Sequence, residues 1–216
     1  PPHRINYRAN LWAFRELGVE RILAPCASGS LQPAIAPGDF VVCDQFVDRT
    51  WGRPDTFFDG PEVNHVSLAD PYCTQLRAAV AGAAHGLDLT LHRRGTVVVV
   101  QGPRFSTRAE SCWFRDAGWH VINMTQYPEV TLARELGMCY AAVAMVTDYD
   151  AGVEGMPDVH PVTQAEVFEF FAANLPKVRR LLEATIQSLP PTRSCTCADA
   201  TNGIEPVPAA NDMART

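Results

Sequence analysis

The stretch Cys139-Tyr140-Ala141-Ala142-Val143-Ala144-Met145-Val146-Thr147-Asp148-Tyr149-Asp150 decides how the chain is read. Cys139 to Val146 is an apolar run of strand length, the pattern of a strand covered on both faces. It ends in two acids spaced by two. Ligands of open α/β sheets bind at the carboxyl ends of strands, so an Asp-aromatic-Asp in that position marks a place for chemistry. Residues spaced by two also point to the same side of an extended chain. Two carboxylates so placed can hold a flat heterocycle: one accepts from an amino group, the other shares a proton with a basic ring nitrogen. The plainer alternative is that the acids cap the next loop or helix, and on these residues alone it is the favoured one.

Outward from this stretch, short apolar runs alternate with helical patterns, which predicts a sheet with helices packed on it. A helix is expected over 6–17, with Leu11, Phe14 and Leu17 on one stripe and Gly18 as its stop. A strand follows over 19–24, then a Gly-containing loop over 27–31. Pro37-Gly38-Asp39 turns the chain into a strand over 40–43. The Pro-, Gly- and Asp-rich segment 49–60 reads as a surface loop. Further helices are expected over 76–85, over 107–117 (Ala109, Cys112 and Trp113 at helical spacing) and from Pro128 to Leu136. Strand material spans 89–100, interrupted over 92–95. The last helix, 163–187, is amphipathic, with Thr163 and Glu166 at capping-box spacing. The domain is thus placed over 1–188. Residues 189–216 are polar and rich in Pro, Ala and Thr, which predicts a flexible tail.

With 216 residues and 47% hydrophobic content, the chain can bury one sizeable core, and a single domain is expected. A formal charge of −6 argues against a general nucleic-acid binder, whose affinity comes from clustered Lys and Arg. No apolar run approaches bilayer length and no leader pattern opens the sequence, so a cytoplasmic protein without membrane attachment is the expectation. Of the seven cysteines, Cys26, Cys43, Cys73, Cys112 and Cys139 stand in ordinary core-like contexts. Cys195 and Cys197 differ. Their one-residue spacing suits a tight disulfide, a redox role or half of a metal site, but no His or second cysteine pair stands nearby in sequence, and an ornament of the tail is the simplest reading.

Two further segments shift the balance at Asp148 and Asp150. Gln101-Gly102-Pro103-Arg104-Phe105-Ser106-Thr107-Arg108-Ala109-Glu110 follows the strand-like run 96–100, and Asn123-Met124-Thr125-Gln126-Tyr127-Pro128-Glu129 follows 119–122. Read in order with Thr147 to Asp150, they resemble the trimeric purine nucleoside phosphorylase family, most closely its 5′-methylthioadenosine phosphorylase branch. Asn6 to Ala13, Gly29-Ser30-Leu31, Pro37-Gly38-Asp39 and Asp44 to Thr50 resemble the same branch, so the likeness runs over roughly 3–187.

The resemblance implies an α/β fold with a central mixed sheet flanked by helices, a homotrimer, and phosphorolysis. In that reaction phosphate attacks the anomeric carbon of a nucleoside, releasing the purine without metal or organic cofactor, inorganic phosphate being the co-substrate. By the family pattern Asp148 bonds the purine N7 and helps protonate it, and Asp150 assists at the 6-amino group. Phe105 lies against the base, Met124 lines the ribose, and Val167 helps form an apolar pocket for a 5′-methylthio group. Thr125 and a backbone amide at Ala27 serve phosphate; Cys26 stands where matching members often carry a hydroxyl residue or Asn, which puts its contribution in question. His65, in the strand-like Val63-Asn64-His65-Val66-Ser67, reaches the neighbouring subunit's site. Members acting on 6-oxopurines usually carry Asn where Asp148 stands and Glu where Ser106 stands, so both residues imply a 6-aminopurine. An acid can offer N7 a proton that an amide cannot.

One departure stands out. Family members start with a strand, a Gly-rich phosphate loop, a second strand and an Arg-His pair; this sequence opens at Pro1-Pro2-His3-Arg4 and its first glycine is Gly18. The expectation is an N-terminally incomplete domain, its first strands missing: a fragment of a longer product or a late gene start, ahead of a degenerate relative. Phosphorolysis by such a chain should be impaired while base recognition survives. The function expected is phosphorolysis of 5′-methylthioadenosine in purine and methionine salvage. The alternatives are a 6-oxopurine nucleoside phosphorylase, a hydrolase using water in place of phosphate, and a truncated non-catalytic binder of purine nucleosides.

Overall fold

The computed structural model describes residues 1–151 and 162–206. After a short 3₁₀ turn at Pro2–Arg4 come α1 (Tyr7–Glu16), β1 (Arg21–Ser30), β2 (Phe40–Val42), β3 (Gln45–Arg49), α2 (Thr74–Ala83), β4 (Leu91–His92), β5 (Thr96–Val100), α3 (Arg108–Asp116), β6 (Val121–Asn123), α4 (Gln126–Glu135), β7 (Cys139–Asp148) and α5 (Gln164–Ser188). The strands form one mixed sheet in the order β3-β5-β6-β1-β7-β2-β4. β1 runs parallel to β7 over its length, while β1 with β6 and β2 with β7 are antiparallel. This is a single α/β domain with a mixed sheet flanked by helices, as the alternation of patterns and the resemblance led us to expect.

β7 shows why its sequence is apolar throughout. Residues 139–147 are all buried. Tyr140, Ala142, Ala144 and Val146 face a core shared with Tyr7 and Leu11 of α1 and Val130 and Leu132 of α4. Val143 and Met145 face the opposite core, with Val80 of α2 and Val178 and Leu181 of α5. Both sides of the strand are covered, so the period-2 alternation separates two cores instead of core from solvent.

Helix ends follow their local signals. Asn6 accepts from the Ala9 amide, and full capping boxes form at Thr107/Glu110 and Thr163/Glu166. Tyr127 is non-helical, so regular helix begins at Pro128. The inward stripes differ from expectation. Phe14 and Leu17 are 41% and 79% exposed, because α1 docks through its first turns at Tyr7, Arg8 and Leu11. In α3 the buried residues are Ser111 and Phe114, with Trp113 half exposed.

Two other expectations are corrected, and one strand was not foreseen. The loop expected over 27–31 is largely strand, because β7 continues to pair with β1 as far as Gly29. Segment 45–49, for which no strand was expected, is β3, paired in parallel with β5 from Thr96 to Val100. Residues 190–206, expected as part of a flexible tail, pack on the body. Cys197 is buried in a 3₁₀ turn, Arg193 Nη1 donates to the Gly137 carbonyl at 2.9 Å, and Asn64 Nδ2 donates to the Thr201 carbonyl at 2.8 Å. Composition misled here: polar residues hold the segment through main-chain carbonyls. The remainder of the expected tail, 207–216, lies outside the described residues. No helix among the described residues is long and apolar enough to cross a membrane.

Candidate active site

The carboxyl ends of β5, β6 and β7 meet the last part of β1 at a cavity of about 570 Å³. Its shape originates in β1. Between Ser28 and Gly29 the register against β7 shifts, and the strand bends to pair with Ile122 and Val121 of β6. Gly29 is required at the bend, since a Cβ there would lie 2.9 Å from Asp148 Oδ1 and 3.0 Å from Ile122 Cγ2.

Asp148 closes β7. Its Oδ2 accepts from Thr147 Oγ1 and its Oδ1 from the Asp150 amide, each at 2.7 Å. That second bond turns the chain, and Asp150 has a left-handed backbone at φ 51°. The two acids therefore reach the same cavity through a tight turn, where an extended chain was expected. Burial pushes both carboxyls above the ordinary range, against the pull of their hydrogen bonds; for Asp150 the nearby Asp148 charge adds to the rise. Asp150 is 3% exposed, and its Oδ2 closes no hydrogen bond among the described residues. A buried acceptor left open in a cavity wall favours a donor on whatever fills it.

Of the residues expected at the site, Cys26, Ala27, Phe105, Ser106, Met124, Thr125, Asp148, Asp150 and Val167 all line this cavity. Phe105 stands partly exposed at the mouth, and Val167 is joined by Phe168 and Phe171 from the first turns of α5. The Cys26 sulfur sits in a cradle of amides, accepting from Gln126 Nε2 at 3.3 Å and Asn123 Nδ2 at 3.4 Å. Burial raises its pKa, so the thiol stays neutral. Thr125 precedes α4, and its hydroxyl makes no capping bond to that helix. An anion on this wall would meet no negative sulfur.

His65 is the exception. It lies in an exposed loop, not a strand, and does not line the cavity of its own chain. The sequence reading also overlooked Arg53, in the loop expected at the surface. Arg53 is 7% exposed, and its guanidinium donates to the carbonyls of Met124 at 2.9 Å, Tyr127 at 2.5 Å and Gln101 at 2.9 Å. It ties the loop after β5 to the loop after β6, the two that carry Phe105 and Met124. A lone Arg among Gly and Pro gives no local signal of such a role.

These features match known proteins. The family model described as the phosphorylase superfamily covers residues 1–187. A purine nucleoside phosphorylase of Streptomyces coelicolor is 50% identical over 95% of this chain and 76% of its own length. An S-methyl-5′-thioadenosine phosphorylase of Mycobacterium tuberculosis is 54% identical over 90% of this chain and 70% of its own. Among solved structures, methylthioadenosine phosphorylase from Schistosoma mansoni in complex with adenine superposes with a TM-score of 0.85 at 37% identity, covering 94% of this chain and 77% of that one. Sequence likeness and fold likeness point the same way over nearly the whole chain, which therefore belongs to the phosphorylase superfamily.

Proposed function

We propose that this protein is an S-methyl-5′-thioadenosine phosphorylase, cleaving 5′-methylthioadenosine with inorganic phosphate to adenine and 5-methylthioribose 1-phosphate. The observation that carries the reading is the pairing, in one cavity, of a buried and a partly buried carboxyl, both of raised pKa, with an apolar end formed by Val167, Phe168 and Phe171. Relatives at 50–54% identity bear the same activity in their names, and solved neighbours hold adenine and methylthioadenosine.

The chemistry follows from the site. Departure of the base leaves positive charge on the ribose, and the reaction speeds up when the leaving purine gains a proton. Asp148, its pKa raised by burial, is suited to share a proton with N7, while the open Oδ2 of Asp150 accepts from the 6-amino group. Phe105 offers a flat apolar face to the base and Met124 borders the ribose. Phosphate lies toward Cys26, Ala27 and Thr125, at the start of α4, where it is positioned for attack on the anomeric carbon. No organic cofactor has a role in this scheme. We further place the enzyme in purine and methionine salvage in the cytoplasm, as a homotrimer in which His65 serves a neighbouring site.

The Streptomyces relative keeps a second reading open, a phosphorylase of 6-oxopurine nucleosides. Asp148 and Ser106 favour the 6-amino substrate. The test is base release from 5′-methylthioadenosine and from inosine, with and without phosphate. Phosphate-dependent release of adenine, with inosine cleaved poorly, is expected. Preference for inosine would give the second reading, release without phosphate would indicate a hydrolase, and tight binding without release would leave a non-catalytic binder.

A further inference from the structure

Four cysteines far apart in sequence come together on the side of the sheet opposite the cavity mouth. Cys139 is the first residue of β7, whose other end carries Asp148; ten strand residues put about 30 Å between them. Cys73 is the N-cap of α2. Cys195 and Cys197 come from the packed segment after α5. Their sulfurs all lie within 4.8 Å of one another, with Cys139 and Cys195 at 3.2 Å. Cys73, Cys139 and Cys197 are buried and Cys195 is partly exposed. The sequence reading had only the Cys195-Thr196-Cys197 half of this group and expected no metal.

We propose that Cys73, Cys139, Cys195 and Cys197 form a structural tetrathiolate site for a soft divalent cation of the zinc type. Every pair of the four sulfurs lies within 4.8 Å, so they form one group instead of two isolated pairs. A tetrahedron with zinc–sulfur bonds of about 2.3 Å has sulfur–sulfur edges of about 3.8 Å, inside the spread seen here. Four protein ligands and burial suit a closed structural site, with no open position for chemistry. A tetrathiolate centre carries a net charge of −2, and positive groups stand ready for it. Arg193, which donates to the Gly137 carbonyl, brings its positive charge toward Cys139, and Cys73 stands at the start of α2, the positive end of that helix. Binding is a ligand exchange without electron transfer: four thiols lose their protons to solvent as four metal–sulfur bonds form. The metal would tie the segment after α5 to the start of β7 and to α2, adding to the hydrogen bonds of Arg193 with Gly137 and of Ser194 with Gln75.

The test is metal content and metal response of the full chain, purified with reductant and without chelator. One zinc per chain is expected by elemental mass spectrometry. Replacement by Co²⁺ should give thiolate charge-transfer bands and the visible bands of a tetrahedral site. Cys197→Ser should weaken zinc at least 100-fold in competition with a chromophoric chelator, while Cys112→Ser, outside the cluster, should leave it unchanged. Should Cys197→Ser fold poorly, the wild type still decides: stripping zinc should lower its melting temperature and adding Zn²⁺ should restore it. A reduced wild-type chain that holds no stoichiometric zinc and whose melting ignores added Zn²⁺ would overturn the proposal. So would an intact mass showing the four cysteines joined as two disulfides in protein purified from the reducing cytosol.

Discussion

Asp148 tests the chemistry of a single residue. Its carboxyl, like that of Asp150, has a folded-state pKa raised by burial. A group raised in the folded state supports folding below its unfolded pKa and loses that support as pH climbs through the folded value, so ionised Asp148 works against the fold at neutral pH. Asp148→Asn keeps the shape and removes the titration. Phosphate-dependent adenine release should fall about 100-fold or more, while the melting temperature at pH 7 holds or rises. The wild type should also lose activity with rising pH as the proton leaves, and the variant should lack that limb; a shared limb would assign the titration elsewhere. Gly29→Ala is the companion test. The added Cβ meets Asp148 Oδ1 and Ile122, so activity should drop sharply in a chain that still folds, as judged by circular dichroism.

Elements set how the site is held. The loops after β5 and β6 have no common ladder beyond their strands, and Arg53 supplies the link through carbonyls on both. Arg53→Ala leaves those buried carbonyls unpaired and should cost about 2–4 kcal/mol in urea unfolding. It should also raise KM for the nucleoside as Phe105 and Met124 drift. A fall in stability with KM unchanged would confine Arg53 to scaffolding. The first turns of α5 answer for the 5′ end of the substrate. Val167→Ser should reduce kcat/KM for 5′-methylthioadenosine relative to adenosine by about 10-fold, the scale of a methylene or two in an apolar pocket. Equal losses on both substrates would place Val167 away from the methylthio group.

At the scale of the whole molecule, the packed C-terminal segment is the part least visible from composition. Residues 190–206 cover Cys73, Leu76, Cys139 and Ala141 at the base of β7. Ending the chain after Ser188 uncovers that patch and should destabilise the fold by about 2 kcal/mol or more in urea melts. An unchanged midpoint would mean that the segment behaves as the loose tail its polarity suggests.

Sequence alone determined the layered α/β class, because an apolar run such as Cys139–Val146 suits only a strand covered on both faces. It also marked nine residues of the cavity wall, through the family resemblance that short, ordered strand-end motifs carry. The capping box at Thr163 was legible because its partner Glu166 lies three residues on, whereas the one at Thr107 emerged only in the structure. Tertiary structure decided whatever depends on distant partners. Which face of α1 and α3 turns inward is set by what they dock against, so Phe14, Leu17 and Trp113 were misplaced. β3 exists because β5 pairs with it, and Arg53 matters because two separate loops bring their carbonyls to it. Cys195 and Cys197 gained their partners only when β7 and α2 were folded beside them. Local physics is written in neighbouring residues, whereas pairing across 50 or more positions depends on the whole chain's packing.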